Sequence, residues 1–331
     1  MQGQPAPTAS SDEVAAFLDQ VNAVIRDRTA GADPWRELDL LGLLPGGQEE
    51  QPWDALDQVA WFGLLRGVAQ ACPCLAVALS SARLVDISGG DARTMGWAHN
   101  ARRTDGAHWQ LALPVAPLKL TSWLFFDGLR LRCAATARLQ RITAHPPVYQ
   151  FGCADLDCKI VGDAPDLARL AAHPDVPLLL AGMLRRIWEL AAQHAESRPM
   201  FRRHLADFPV IQLRLLASMV EVMRAEQIAT GLAHNPAHCF ALGHASALRR
   251  KAQAVCIETQ QICGGTGYMR NSAFAQTLAW IDWCDGACNL APVGDAVLSV
   301  HELADIDVGV MRRLTALGMP VDQVSALLQL A

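Results

Sequence analysis

Helical periodicity occupies both ends of the chain, and a strand-rich stretch separates them. Ahead of residue 87, apolar residues recur at intervals of three and four, and the same spacing returns after residue 164. The helix predicted over 207–232 is the clearest, because its apolar residues share one face. A strand–helix–strand alternation is missing, which disfavours a parallel nucleotide-binding sheet. The order predicts a mainly α protein with a small central β domain.

Strand signals are concentrated between residues 108 and 156. Apolar runs over 109–113, 120–126 and 129–134 are rich in strand-forming residues. Asp127-Gly128, between the last two runs, is typical of a hairpin turn. The stretch therefore predicts at least one antiparallel pair of strands.

The predicted organisation has four parts. These are a disordered leader over 1–11, an N-terminal helical domain over 12–87, a small β domain over 88–162 and a C-terminal helical bundle over 163–331. The helices predicted within them, after a first one that begins at Asp12, span residues 35–44, 53–70, 75–84, 166–172, 176–195, 207–232, 238–263, 297–317 and 321–330.

Length and composition exclude several classes of protein. The chain has 331 residues, of which 51 % are hydrophobic, and this is ample for a sizeable core. A net charge of -5 argues against a basic surface for nucleic acid. No run of about 18 uncharged apolar residues is present, so no membrane span is predicted. The polar N-terminus has no signal-peptide pattern, so we expect a cytoplasmic protein.

The ten cysteines do not suggest a secreted disulfide framework, and a reducing cytosol is the better interpretation. Cys72-Pro73-Cys74 and the pair Cys284 and Cys288 could be zinc half-sites. Their spacing is not the usual C-x-x-C, however, and no histidine stands at ligand spacing. Buried structural thiols are the default, and no metal is predicted.

Two segments of the C-terminal half carry the strongest functional signal. The first begins Arg198-Pro199-Met200-Phe201 and leads into the predicted helix that carries Gln212 near its start. The second reads Gln260-Gln261-Ile262-Cys263-Gly264-Gly265-Thr266-Gly267-Tyr268.

Both segments resemble those of the acyl-CoA dehydrogenase family. The first is similar to the family's Arg-x-x-Phe-Gly segment, with Arg202 where the family has Gly and Pro209 where many members have Gln. The second matches Gln-Ile-x-Gly-Gly-x-Gly-Tyr at every fixed position. Residues 37–45 also resemble a Leu-x-x-x-Gly-Leu-Leu segment. The resemblance implies an N-terminal helical block, a β-barrel-like middle domain and a C-terminal four-helix bundle.

The chemistry of these residues agrees with a dinucleotide site. Gly264, Gly265 and Gly267 end a helix and let backbone amides approach a ligand, which with Gln261 beside them suits a pyrophosphate. Arg198 supplies an always-charged donor, and Phe201 a flat apolar surface. The resemblance implies that these six residues bind FAD across a subunit interface. The alternative interpretation is that the glycines only end a helix and that Arg198 is an ordinary surface residue.

The resemblance also implies a carboxylate base, which removes the α-proton of an acyl-CoA while the β-hydride goes to the flavin. Many members have Glu followed by Gly, and this chain has Asp285-Gly286, one methylene shorter. Asp285 is the predicted catalytic residue, with Asp282 as a rival. Glu258 is a weaker candidate, which we interpret as a surface or interface residue. The alternative is that Asp285-Gly286 is a turn that caps the next helix.

The middle domain departs further from the family. The family's Trp-Ile-Thr or Trp-Ile-Ser segment and its upstream Thr-Glu-Pro…Gly-Ser segment have no counterpart, although residues 87–91 lie roughly where the upstream one belongs. Trp109 and Trp123 are possible aromatic contacts for a flavin, but core positions are favoured for both.

Three functions are therefore open. The first is an FAD-dependent acyl-CoA dehydrogenase that acts on an acyl or steroid-side-chain CoA thioester and passes electrons to an electron-transfer acceptor. The second is a non-catalytic subunit that lends Arg198 and the glycine turn to a related partner. The third is a flavin-free acyl-binding or biosynthetic protein. The resemblance implies a homo- or hetero-tetramer.

Overall fold

A computed structural model describes about half of the chain. The predicted leader over 1–11 and the helices predicted over 35–44, 166–172, 297–317 and 321–330 lie outside the described residues. The described residues are 16, 19, 58–88, 90, 95–98, 100–103, 108–113, 121–126, 131–135, 140–141, 149–154, 157–162, 175–234, 244–269 and 272–287.

Two consecutive helices form the described N-terminal part. Helix α1 spans Gln58–Ala71 and α2 spans Pro73–Ile87, with Cys72 alone between them. Pro73 stands in the first turn of α2, where its missing N–H costs nothing. Both helices contribute extensively to the buried core, which explains why their sequences are apolar on more than one face.

The strands form two four-stranded sheets. In the first sheet the order is β1-β4-β5-β8, with β1 parallel to β4 and the other pairs antiparallel. Its strands are β1 (Met95–Trp97), β4 (Ser122–Phe126), β5 (Leu131–Ala135) and β8 (Cys158–Gly162). The second sheet is antiparallel in the order β2-β3-β7-β6. Its strands are β2 (Asn100–Arg103), β3 (His108–Leu113), β6 (Gln140–Arg141) and β7 (Tyr149–Ala154).

The predicted hairpin is confirmed. Strands β4 and β5 are antiparallel, and Phe126 pairs with Leu131 across Asp127-Gly128. The core positions favoured for Trp109 and Trp123 are also confirmed, since both are buried. Trp109 packs against Phe125 at a ring-centroid distance of 5.4 Å.

Helix α3 is the centre of the C-terminal part, and it contacts α1 and each later described helix. The four helices described after β8 are α3 (Asp175–Ser197), α4 (Pro209–His234), α5 (His244–Cys263) and α6 (Ala273–Ala287). The two arginines inside apolar α3 join it to other helices. Arg185 donates two hydrogen bonds to Glu226 of α4, at 2.9 and 2.7 Å.

Asp175 fixes the start of α3 against α1 and α2. Its carboxyl group is completely buried and accepts hydrogen bonds of 3.0 Å from Trp61 Nε1 and from Ser80 Oγ. Burial raises the pKa of this carboxyl group, and the charge of Arg83, 3.5 Å away, opposes the shift. The contact is buried and polar, so it specifies how the helices meet.

The mainly α architecture with a small central β unit is as predicted. Within the described ranges, no helix is both long and apolar enough to cross a membrane.

Candidate functional site

The segment that follows α3 forms a tight hairpin, which the sequence pattern did not predict. Strands β9 (Pro199–Met200) and β10 (Arg203–His204) are antiparallel. Phe201 and Arg202 form the turn with φ angles of +48° and +67°. Two positive φ angles are typical of a type I′ turn, which favours Gly and Asn. The one sequence signal for this geometry is that the family has Gly at the position of Arg202.

The backbone of this hairpin is fixed at its base. Leu205 N donates to Arg198 O at 2.9 Å, and His204 N donates to Asp207 Oδ2 at 2.8 Å. Gln212, in the first turn of α4, donates to Ala206 O at 2.9 Å. Gln212 therefore supports the loop backbone, whereas Phe201 at the tip is 83 % exposed.

The glycine segment ends α5, as predicted. The helix stops at Cys263, and Gly264–Tyr268 form a 3₁₀ turn. Gly264 has a φ of +54°, a conformation in which a Cβ is disfavoured. Gly267 is buried, and a Cβ there would stand 3.1 Å from Cys263 Cβ. Gly265 is exposed, and a Cβ on it would contact nothing within 4 Å.

The two segments meet at one corner of the helical part. Arg198 Nη1 lies 3.6 Å from the point where a Cβ on Gly264 would stand. The same Nη1 atom lies 3.4 Å from His194 Nε2. Burial and the charge of Arg198 lower the pKa of His194, so its ring is neutral near pH 7 and can accept from the guanidinium. We call Arg198 and Gly264 together the Arg198–Gly264 corner.

This corner has the donor set that a dinucleotide phosphate needs. The Arg198 side chain is exposed, as are Gln261 in the last turn of α5 and Phe201 on the hairpin. A planar guanidinium beside a glycine with left-handed backbone is suited to oxyanions, because no side chain blocks the amides. The residues present therefore fit the pyrophosphate half of FAD.

Asp285 lies in the last turn of α6. Twelve residues separate it from Ala273 at the start of the helix, which corresponds to about 18 Å along the axis. Asp285 and Gly286 are both helical, so they do not form the turn that the alternative interpretation required. The rival Asp282 is exposed on the same helix, and Glu258 is half-exposed with its Oε2 3.9 Å from Arg214 Nε.

One buried donor lies on the β side of the molecule. The indole Nε1 of Trp123 is buried and has no hydrogen-bond acceptor among the described residues. An acceptor on a ligand would satisfy such a group. In the same described part, no cluster of three or more His, Cys, Asp or Glu residues is arranged to hold a metal ion.

Comparison with known protein families agrees with the two motifs. The model of the acyl-CoA dehydrogenase C-terminal domain matches residues 176–283, which run from α3 into α6 and include the Arg198–Gly264 corner. Comparison with the sequences of curated proteins finds no match.

Solved structures show a similar fold over nearly the whole chain. The ChsE4-ChsE5 complex from Mycobacterium tuberculosis matches with a TM-score of 0.65 and 16 % identity, over 91 % of this chain and 99 % of that one. The glutaryl-coenzyme A dehydrogenase glutaryl-CoA complex matches with a TM-score of 0.66 and 12 % identity, over 89 % and 96 %. The prolyl acyl carrier protein oxidase AnaB matches with a TM-score of 0.63 and 12 % identity, over 90 % and 100 %. At these identities the similarity establishes the fold.

Proposed function

We propose that this chain is an FAD-dependent acyl-CoA dehydrogenase, since residues 176–283 match the model of the family's C-terminal domain and the fold is similar to that of glutaryl-coenzyme A dehydrogenase. The observation that supports this most is the Arg198–Gly264 corner, where the two family-like segments come together. Bound FAD would supply the hydride acceptor.

In this proposal each of the chain's site residues has a separate role. Arg198 and the amides beside Gly264 bind the FAD phosphates, and Phe201 packs on a ring of the cofactor. The neutral ring of His194 leaves the full positive charge of Arg198 available to the phosphates. The Asp285 carboxylate takes the α-proton from the acyl-CoA thioester.

The positions of Arg198 and Asp285 suit a long ligand. Arg198 follows α3 directly, and Asp285 lies in the last turn of α6. Phosphates bound at the Arg198–Gly264 corner and a base in the last turn of α6 would contact different parts of an extended dinucleotide together with its acyl substrate. On the β side, the buried indole N–H of Trp123 is a candidate donor to a hydrogen-bond acceptor of the bound ligand.

The base is tested by changing Asp285 and its neighbour Asp282 separately. Asp285→Asn should lower turnover of an acyl-CoA panel by at least about 100-fold without loss of bound FAD, because it removes the proton acceptor. Asp282→Asn is the matched control and should retain turnover. Asp285→Glu restores the length of the usual family base and should retain or raise it. Wild-type turnover by Asp285→Asn would exclude this residue as the base.

A second candidate function is a non-catalytic subunit that lends its corner to a partner. An apolar stripe on the outer face of α4 supports it, and we define the α4 stripe as Val210, Leu213, Leu216, Val220 and Met223. All five residues are exposed, with Leu213 at 66 % and Leu216 at 62 %. Exposed apolar stripes of this kind mark protein–protein interfaces.

The two candidates differ in what the chain does alone. A self-sufficient dehydrogenase oxidises an acyl-CoA as a homo-oligomer. A lending subunit is inactive by itself, and its mixture with a related subunit gains turnover that Arg198→Gln in this chain removes.

A further inference from the structure

Two cysteines face each other at the corner between α1 and α2. Cys72 is the single residue between the helices, and Cys74 lies in the first turn of α2 after Pro73. Neither cysteine is in a disulfide, and their Sγ atoms are 3.4 Å apart. This is about 1.4 Å more than the length of a disulfide bond.

The backbone that carries the two thiols is firmly held. Cys72 N donates to Val68 O at 2.7 Å, and Cys72 O accepts from Ala76 N at 3.1 Å. Pro73 restricts the backbone between the two cysteines. The fold of the corner therefore fixes the backbone positions of the two cysteines.

Arg186 holds the same corner from α3. Its Nη1 atom donates to Gln70 O at 3.0 Å and to Ala71 O at 2.6 Å, at the end of α1. Its Nε atom donates to Thr277 Oγ1 of α6 at 3.2 Å. A covalent bond between Cys72 and Cys74 would thus brace a point where α1, α2, α3 and α6 are connected.

We infer that Cys72 and Cys74 are a modification site, at which a peroxide oxidises the two thiols to an intramolecular disulfide. The inference is independent of the proposed function. Cys74 is half-buried and open to a small oxidant, whereas Cys72 is 7 % exposed. Cys74 is therefore the thiol that peroxide attacks first, and Cys72 resolves the product.

The reaction balances with hydrogen peroxide as the only co-reactant. The Cys74 thiolate forms an S–O bond to one peroxide oxygen, the O–O bond breaks, and the departing hydroxide takes up the proton that the thiol released. The product is a sulfenic acid and water. Cys72 Sγ then attacks Cys74 Sγ, the S–S bond forms, the S–O bond breaks, and a second water leaves with the Cys72 proton. The two sulfurs together lose two electrons, which the peroxide gains.

The sequence gives a direct mass test on the full chain. Trypsin cleavage after Arg66 and Arg83 releases peptide 67–83, whose only cysteines are Cys72 and Cys74. After treatment with hydrogen peroxide and then an alkylating agent, we expect this peptide to be unalkylated and two hydrogens lighter than the reduced peptide. After reduction with dithiothreitol, the same peptide should become doubly alkylated. A doubly alkylated peptide after peroxide, or a bridge from either cysteine to a third one, would overturn the inference.

Single variants test the order of attack. Cys72→Ser should accumulate a sulfenic acid on Cys74 that dimedone traps, and Cys74→Ser should give no dimedone adduct on Cys72. Cys72→Ala is a second variant for this buried position, and circular dichroism before oxidation checks that each variant is folded. A dimedone adduct on Cys72 in folded Cys74→Ser, with none on Cys74 in folded Cys72→Ser or Cys72→Ala, would reverse the assignment of the attacked thiol and contradict it.

Discussion

Arg198 Nη1 lies 3.6 Å from the point at which a Cβ on Gly264 would stand, although 66 residues separate the two in sequence. Both positions belong to segments that resemble one family's motifs. Their meeting in the fold is what turns two sequence patterns into one candidate site.

Gly264 is expected to be needed for its backbone conformation. Gly264→Ala places a side chain at a φ of +54° and should lower the free energy of unfolding by about 1 kcal/mol. Gly265→Ala is the matched control, because a Cβ there contacts nothing within 4 Å. Urea unfolding of the two variants measures the difference. An equal loss of unfolding free energy in both variants would show that the left-handed conformation of Gly264 is not the cause of the destabilisation.

The turn of the β9–β10 hairpin predicts a stabilising substitution. Arg202 has a φ of +67°, so Arg202→Gly removes a left-handed side chain and should raise the free energy of unfolding. We expect a gain of under about 1 kcal/mol, since glycine also costs entropy in the unfolded chain. Arg203→Gly, in the adjoining strand, should instead be destabilising. The thermal midpoints of the two variants decide the matter, and loss of stability in both would contradict the prediction.

The α4 stripe is expected to be covered by another subunit. Leu213→Glu puts a charge in the stripe at a position that is already 66 % exposed, so the fold should tolerate it while the oligomer dissociates. Gln193→Glu adds the same charge to an exposed position of α3 and should leave the assembly unchanged. Light scattering coupled to size-exclusion chromatography gives the mass of each. A Leu213→Glu protein with wild-type mass would show that the stripe is not an interface.

Cys263 predicts a loss of stability at alkaline pH. Burial raises the pKa of this thiol from 9.0 to about 11. Because the folded-state pKa is the higher one, the contribution of the neutral thiol is complete below pH 9 and is lost as the pH rises through about 11. The difference in unfolding free energy between wild type and Cys263→Ala should therefore be constant below pH 9 and shrink above it. A difference that stays constant up to pH 11 would contradict the shift.

Periodicity and turn chemistry predicted much of the fold. The helix over 176–195 is observed as Asp175–Ser197, and the Asp127-Gly128 signal marked the junction of β4 and β5 correctly. These features are local: one face of a helix or one turn carries the information. The end of the helix at Cys263 could also be predicted, because glycines follow it directly.

Non-local geometry could not be read in the same way. Nothing in the spacing indicated that Arg198 Nη1 would lie near Gly264, or that Arg186 would bind the carbonyls at the end of α1. The β9–β10 hairpin was missed because its turn uses Phe201 and Arg202 rather than Asn or Gly. Contacts between a side chain and the backbone of a distant segment depend on tertiary packing, which single-sequence patterns do not encode.

The most direct test of the proposal is the visible absorption spectrum of the purified chain, recorded alone and after co-expression with a related subunit. We expect flavin bands, with FAD near one per chain or per heteromeric site, and we expect Arg198→Gln to lose them. Lys159→Gln, which removes an exposed charge from β8, should keep them. A colourless protein in both preparations, or Arg198→Gln with undiminished FAD, would contradict a flavin site at the Arg198–Gly264 corner.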